Sequence, residues 1–131
     1  NKAKNIIAAA RLIVEEYDGE VPDSMDDLLR LPGVARKTAN IVLYNGFGVT
    51  AGIAVDTHVK RLSQRLGLSG NKNPDTIEKD LMAIVEEKHW GPVNYLFISH
   101  GRRICTARRP ACPECVLLEE CPRIGVEVLL K

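Results

Sequence analysis

A proline–glycine pair between two stretches of helical spacing constrains the fold of this chain more than any other feature. The pair is Pro32-Gly33, and Val34 and Ala35 follow it. Proline ends the preceding helix, and glycine permits the left-handed backbone that a tight reversal needs. Helical spacing resumes at about Arg36, so we expect a hairpin between two helices.

The rest of the chain also has the pattern of helices separated by glycine, proline and capping residues. Ser24 and Asn73 are suited to cap helix starts, and glycines follow the expected helix ends. The segment 49–55 is rich enough in β-branched residues for a strand, but no partner strand is evident. We therefore predict an all-α fold. The predicted helices span about 2–17, 25–31, 36–45, 57–66, 74–88 and 93–104.

Length and composition restrict the class of protein. With 131 residues the chain suits one domain, and its 45% apolar content excludes general disorder. The longest apolar stretch is far too short to span a membrane, and no charged-then-apolar leader is evident. We expect an intracellular protein that does not bind membranes.

Positive charge is concentrated in one part of the chain. Residues 28–74 contain seven basic residues and one acid, Asp56, which is a formal charge of +6 in a chain whose net charge is +1. Such a patch suits a polyanion, although a solvated helix face would have the same composition. The basic residues are Arg30, Arg36, Lys37, Lys60, Arg61, Arg65 and Lys72, and a second group near the C-terminus comprises Arg102, Arg103, Arg108 and Arg109.

The predicted hairpin places two chemically useful features side by side. A helix N-terminus presents amides without intrahelical partners and a positive dipole end, which together suit a phosphate. Lys37 lies in the first turn of that helix beside Arg36, and its amine is a candidate nucleophile. The alternatives are an ordinary turn between helices and a solvated surface lysine.

Asp56 supplies a carboxylate at the start of a later helix, in the run Val55-Asp56-Thr57-His58. A simple N-cap is one explanation of an aspartate at this position. A catalytic carboxylate is the other. Cleavage of a glycosidic bond in DNA needs an amine nucleophile and a carboxylate on a basic surface, and Lys37 with Asp56 would provide them.

All four cysteines lie within 17 residues near the C-terminus, at Cys105, Cys112, Cys115 and Cys121. With no sign of secretion, this spacing favours a metal site over disulfides. Zinc usually prefers two close cysteine pairs, and here there is one. From spacing alone, zinc and an iron–sulfur cluster both remain open.

Several motifs in order resemble the endonuclease III family of DNA glycosylases. They are the run Leu31–Asn40, the run Ala54–Val59, the triplet His100-Gly101-Arg102 and the four-cysteine loop. The similarity covers essentially the whole chain. It implies a helix-hairpin-helix DNA glycosylase fold, here a partial helical barrel, with a [4Fe-4S] loop at the C-terminal end.

The resemblance assigns roles to particular residues. Lys37 matches the catalytic lysine and Asp56 the catalytic aspartate, in a reaction that removes oxidised pyrimidines and then cleaves the strand by β-elimination. The four cysteines match the cluster ligands. The partner would be double-stranded DNA with damaged bases or abasic sites. Residues expected to contact DNA are Gly33, Val34, Ala35, Arg36, Thr38, His58, Arg102, Arg108 and Arg109.

The resemblance also divides the chain and marks two departures. Residues 1–90 would form the barrel part, with the helix-hairpin-helix at about 25–46, and residues 91–131 the last helix and the cluster loop. Ala35 stands where the family usually has a second hairpin glycine. Because alanine is small, we expect the hairpin to tolerate this replacement. Family members carry a substantial N-terminal stretch ahead of the equivalent of Asn1. We therefore expect that this chain is a fragment of a longer protein, that a second chain supplies the missing helices, or that the core has repacked. The resemblance itself implies a monomer.

Three other functions compete with the glycosylase/lyase. A monofunctional mismatch glycosylase activates water and lacks the lysine, so Lys37 argues against it. A non-catalytic DNA-binding remnant would keep the hairpin and the cluster. A zinc-bound interaction module would be colourless, whereas an iron–sulfur protein is brown. We expect the family's compartment, which in a prokaryote is the cytoplasm and nucleoid.

Overall fold

The computed structural model describes residues 1–127, and every regular element in that range is helical. The segment 49–55 is irregular, and no strand forms within the described range. The all-α prediction is confirmed. The helices are α1 (Lys2–Glu16), α2 (Met25–Arg30), α3 (Arg36–Phe47), α4 (Thr57–Arg65), α5 (Pro74–Ile84) and α6 (Trp90–Arg103), with 3-10 turns at Glu87–His89 and Cys112–Glu114.

Side chains cap the helices where the sequence predicted caps. Ser24 Oγ accepts the Asp27 amide at 3.2 Å and donates to Asp27 Oδ2 at 2.8 Å, which begins α2. Asn73 Oδ1 accepts the first-turn amides of α5, the nearer at 2.8 Å, and Pro74 occupies the first helical position. Each cap satisfies amides that have no intrahelical acceptor, so these starts are defined locally.

The boundary between α5 and α6 differs from the prediction. Helix α5 ends at Ile84 rather than near residue 88, and α6 begins at Trp90, before Gly91-Pro92 rather than after it. Proline is tolerated in a first helical turn because the amide it lacks would have no intrahelical partner. Trp90 Nε1 also donates to the Val85 carbonyl at 2.8 Å, which satisfies an acceptor just after the end of α5.

The chain forms two compact units, Asn1–Ala51 and Gly52–Lys131. The predicted division into a barrel part, 1–90, and a cluster part, 91–131, is a division by function and stays a prediction. Residues 128–131 of the cluster part lie outside the described residues. The first unit has a small core in which Leu12 and Ile13 of α1, and Tyr17 just after it, pack against four buried residues. These are Leu28, Leu31, Ala39 and Leu43.

Helix α1 covers the first unit without burying any of its own residues. Ile6, Ile7 and Val14 are 63%, 53% and 67% exposed. The helix therefore presents apolar surface on more than one side.

The second unit has the larger core. Trp90 and Phe97 pack against it from α6. Helices α4 and α6 approach closely at the buried Gly101, where a Cβ atom would lie 2.9 Å from Arg61 Nη2 and 3.0 Å from His58 Cδ2. Glycine is thus favoured at this position, because Arg61 and His58 would have to shift to admit a Cβ atom. The buried core residues are Ile53, Val55, Val59, Ile77, Leu81 and Val93.

Within residues 1–127, none of the helices combines the length and the apolar character that crossing a membrane would require.

Candidate active site and metal centre

The predicted hairpin forms a tight turn between α2 and α3. Gly33 has a φ of +80°, and the Val34 amide donates to the Leu31 carbonyl at 3.1 Å. A Cβ atom on Gly33 would lie 3.0 Å from Asn5 Cβ and Nδ2. Glycine is therefore favoured here both by backbone conformation and by a close neighbour.

The start of α3 has no side-chain cap. Its N-cap residue is Ala35, whose methyl group accepts no hydrogen bond, whereas Ser24, Asp56 and Asn73 cap α2, α4 and α5. The first turn of α3 therefore keeps amides without a capping side chain, at the positive end of the helix dipole. Such a helix start can accept an anion.

Lys37 lies in the first turn of α3 and is exposed, and Thr38 beside it is partly buried. An exposed amine at a helix start can approach a molecule bound at the same amides. Within this unit Lys37 lies in the helix that directly follows the Gly33 turn.

Asp56 is the N-cap of α4, and both of its carboxylate oxygens have partners. Oδ1 accepts the Val59 amide at 2.8 Å, and Oδ2 lies 3.2 Å from Nδ1 of His58. The Asp56 and His58 side chains are 17% and 22% exposed. The carboxylate is held in one orientation but remains accessible, so capping and a chemical role are compatible at this residue.

Lys37 belongs to the first unit, and Asp56 and His58 belong to the second. Of the other residues expected to contact DNA, Gly33 and Ala35 are exposed and Val34 and Arg36 partly buried. The arginines Arg102, Arg103, Arg108 and Arg109 are all exposed.

The four cysteines line one apolar cavity in the second unit, together with His100, Leu62 and Leu118. All four are partly buried and none is in a disulfide. His100 Nε2 lies 3.5 Å from Cys115 Sγ. Across the part of the chain that the structure describes, no three Cys, His, Asp or Glu side chains form a group that could hold a single metal ion.

Two arginines of α4 have a role that sequence analysis missed. Arg61 donates to the carbonyls of Gly101 and Cys105, and Arg65 donates to those of Thr106 and Ala107. The basic-patch interpretation had counted both as candidates for binding a polyanion. Their four-residue spacing places them on one helix face, which is the signal the sequence offers, but their partners lie some 40 residues further along the chain.

Arg30 of the same basic group is also engaged. It pairs with Glu16 at 2.5 Å and donates to the Tyr17 hydroxyl at 2.9 Å, within the first unit. Arg30, Arg61 and Arg65, from the basic residues between positions 28 and 74, therefore make hydrogen bonds within the fold.

This chain is similar to known DNA repair proteins both in a family model and in individual relatives. Residues 1–87 match the model of the HhH-GPD superfamily of base excision DNA repair proteins. The chain is 58% identical over 122 residues to endonuclease III of Synechocystis sp. and 49% identical over 120 residues to that of Thermotoga maritima. These alignments cover 93% and 92% of this chain, which spans 56% of the length of each relative.

A similar solved structure is a trapped covalent intermediate between endonuclease III and DNA. It has a TM-score of 0.88 and 44% sequence identity, and the match covers 94% of this chain and 58% of that one.

Proposed function

Because the chain belongs to the HhH-GPD superfamily of base excision DNA repair proteins, we propose that it carries the chemistry of a DNA glycosylase with AP-lyase activity. The chain spans about half the length of its relatives, so the proposal extends to this chain an activity belonging to longer proteins. The proposed substrate is double-stranded DNA that contains an oxidised pyrimidine or an abasic site, and the proposed place of action is the chromosome inside the cell.

The observation that carries this proposal is Lys37, exposed in the uncapped first turn of α3 immediately after the Gly33 turn. The amides of that turn suit a DNA phosphate, and the amine beside them would attack the sugar attached to it. The relative of 44% identity was trapped as a covalent intermediate with DNA, which supports an enzyme nucleophile in the family.

The reaction begins with the damaged base leaving the stack, since its C1′ cannot be reached within the duplex. The neutral Lys37 amine then attacks C1′ and the base departs with the glycosidic bond electrons. Loss of the amine proton and opening of the sugar give a Schiff base between Lys37 and C1′. Removal of a proton from C2′ allows β-elimination, which breaks the strand 3′ to the lesion.

Asp56 would accept the proton from the attacking amine or stabilise the cationic sugar. The bonds from Val59 and His58 support this role because they hold the carboxylate at the start of α4 in one orientation. A lost orientation would cost rate even with the carboxylate still present.

A [4Fe-4S] cluster fits the cysteine loop. Cys105, Cys112, Cys115 and Cys121 line one cavity, and thiolates are the ligands that such clusters take. Zinc is the other metal that four cysteines can bind, and the family of the chain favours the cluster. When bound, the cluster would cross-link the loop; the proposed steps at Lys37 and Asp56 need no electron from it.

The proposed DNA contacts complete this site. The hairpin residues Gly33, Val34 and Ala35 would approach one phosphate with Arg36 and Thr38. The exposed Arg102, Arg108 and Arg109 would bind phosphates near the cysteine loop, and His58 stays a proposed contact at the start of α4.

Borohydride trapping on duplex DNA with an abasic site tests the reaction. Borohydride reduces a Schiff base to a stable amine, so the unchanged chain should form a covalent adduct and Lys37→Ala should form none. Lys88→Ala is a matched control, because Lys88 is an exposed lysine paired with Glu86 outside the proposed site. Its adduct yield should equal that of the unchanged chain.

The result separates the competing functions. DNA binding without an adduct would contradict the lyase and support a non-catalytic binding fragment. Base release without an adduct would support a monofunctional glycosylase. A folded, colourless chain that contains zinc would contradict the iron–sulfur cofactor.

A further inference from the structure

Arg65, the last residue of α4, contacts the cysteine loop through its guanidinium group. Nη1 donates to Cys105 Sγ at 3.2 Å and to the Thr106 carbonyl at 2.8 Å, and Nη2 donates to the Ala107 carbonyl at 2.9 Å. The side chain also lines the cavity that the four cysteines surround. These bonds hold the first cysteine and the two residues that follow it.

The backbone of Arg65 contacts the other end of the same loop. Its carbonyl accepts the Ile124 amide at 3.1 Å, and Cys121 Sγ lies 3.6 Å away from it. Carbonyls at a helix C-terminus have no intrahelical donor, so they are available for such bonds. Arg65 therefore contacts both Cys105 and Cys121, the first and last cysteines of the loop.

We propose that Arg65 is a positioning residue of the cluster, one that holds the loop closed around it and raises its reduction potential through the hydrogen bond to Cys105 Sγ. This inference rests on the proposed [4Fe-4S] cofactor. It does not require DNA cleavage by the chain.

The positive charge of Arg65 and its hydrogen bond to Cys105 Sγ would both affect the reduction potential of the cluster. Four thiolates give a cluster site net negative charge, and an added electron increases that charge. A partly buried guanidinium that donates to one of the sulfurs stabilises the more negative, reduced form. Hydrogen bonds to the sulfurs are among the factors that set iron–sulfur potentials.

Arg61 provides an internal comparison from the same helix face. It donates to the Cys105 carbonyl at 3.1 and 3.2 Å and to the Gly101 carbonyl at 3.1 Å. In the described part of the chain its hydrogen bonds end on carbonyl oxygens, whereas Arg65 reaches the sulfur. Loss of Arg61 should loosen the loop backbone but leave the sulfur bond intact.

The test uses the full chain with its cluster, as the unchanged protein and as Arg65→Gln, Arg65→Lys and Arg61→Gln. Iron content and visible absorption report loading, and the bleaching rate in EDTA reports retention. Voltammetry on an electrode, which supplies the electron, reports the potential. We expect Arg65→Gln to bleach about 10-fold faster, within the usual effect of losing an outer partner of a metal ligand.

The reduction potential distinguishes positioning from a general loss of structure. It should fall in Arg65→Gln, fall less in Arg65→Lys, which keeps a positive donor, and stay close to that of the unchanged protein in Arg61→Gln. An equal shift in Arg61→Gln and Arg65→Gln, or no shift in any variant, would overturn the proposal.

If Arg65→Gln does not retain a cluster, the reduction potential of Arg65→Lys tests the proposal. A potential equal to that of the unchanged protein would then overturn it. A colourless, iron-free unchanged protein would overturn this inference together with the cofactor. It would leave the reaction at Lys37 to the trapping assay, so the two failures are distinguishable.

Discussion

At Asp56, one carboxylate oxygen accepts the Val59 amide at 2.8 Å, and the other lies 3.2 Å from His58 Nδ1. A carboxylate that begins a helix is oriented by a backbone amide of that helix, and here the His58 side chain contacts its second oxygen. The same contacts that stabilise α4 therefore prepare the group that we propose for catalysis. Sequence analysis had treated capping and catalysis as alternatives, and the geometry makes them compatible.

A second carboxylate, Asp80, is held by two short hydrogen bonds. Its Oδ2 accepts from Ser69 Oγ and from Asn71 Nδ2, both at 2.6 Å. The hydrogen bonds from Ser69 and Asn71 hold the pKa of Asp80 below its usual value. These bonds tie the loop after α4 to α5.

The lowered pKa of Asp80 predicts acid-sensitive stability. When the folded-state pKa is lower than the unfolded-state value, the stabilisation is present above the unfolded pKa, about 4, and is lost as the pH falls through the folded pKa. Asp80→Asn should therefore reduce the loss of stability below about pH 4. Urea unfolding midpoints measured between pH 2.5 and 7 would check this.

Asn71→Ala is the matched variant for this prediction, since it leaves the carboxylate with the Ser69 hydroxyl alone. Its acid dependence should lie between those of Asp80→Asn and the unchanged chain. An identical acid dependence in all three proteins would contradict the proposed linkage.

At the scale of elements, the hairpin between α2 and α3 depends on a single backbone conformation. Gly33 has a φ of +80° and lies against Asn5 of α1, so the turn is limited both by its own dihedral angle and by a neighbouring helix. The first turn of α3, with Lys37, follows from this geometry.

We expect Gly33→Ala to destabilise the chain by about 1–3 kcal/mol, because a Cβ atom is strained at positive φ and the Asn5 side chain would have to move. DNA affinity should also fall, since the proposed phosphate site is the same turn. Thermal unfolding and equilibrium DNA binding would measure the two effects.

Gly46→Ala is the control for the hairpin prediction. Gly46 lies within α3 and a Cβ atom there would meet no atom within 4 Å, so alanine should be neutral or stabilising. A Gly33→Ala protein as stable as Gly46→Ala would show that the left-handed turn is not needed.

For the molecule as a whole, positive charge is divided between two uses. Arg30, Arg61 and Arg65 are bound within the fold, whereas Arg102, Arg103, Arg108 and Arg109 are exposed. Arginines of one chain thus serve both internal hydrogen bonding and the proposed DNA surface. A count of charges along the chain does not separate these uses.

The salt dependence of DNA binding should report this division. Each phosphate neutralised by an arginine or lysine steepens the plot of log affinity against log salt by about 0.9. We therefore expect Arg108→Ala to weaken binding and to reduce the slope by about that amount. Binding measured at several salt concentrations on one duplex would give the slope.

Arg11→Ala is the control for charge alone, because Arg11 is an exposed residue of α1 outside both basic groups. It should leave the slope unchanged. Equal slopes for Arg108→Ala and the unchanged chain would exclude Arg108 as a phosphate contact.

The sequence by itself determined the features that depend on neighbouring residues. Ser24 and Asn73 begin helices with hydrogen bonds to amides two or three positions away, and Gly33 has a positive φ of +80° that glycine adopts readily. The helical class and the order of the motifs follow from such short-range rules. Family resemblance then proposed roles for Lys37, Asp56 and the cysteines.

Tertiary structure decided the features that join distant parts of the chain. Helix α6 begins as early as Trp90, whose indole N–H donates to the Val85 carbonyl. The hydrogen bonds of Arg61 and Arg65 form because α4 packs against the cysteine loop. Glycine is favoured at position 101 because α4 packs against α6 there, some 40 residues apart in sequence. Such contacts depend on which surfaces pack together in the folded chain, and the spacing of neighbouring residues does not specify the distant segment that each surface contacts.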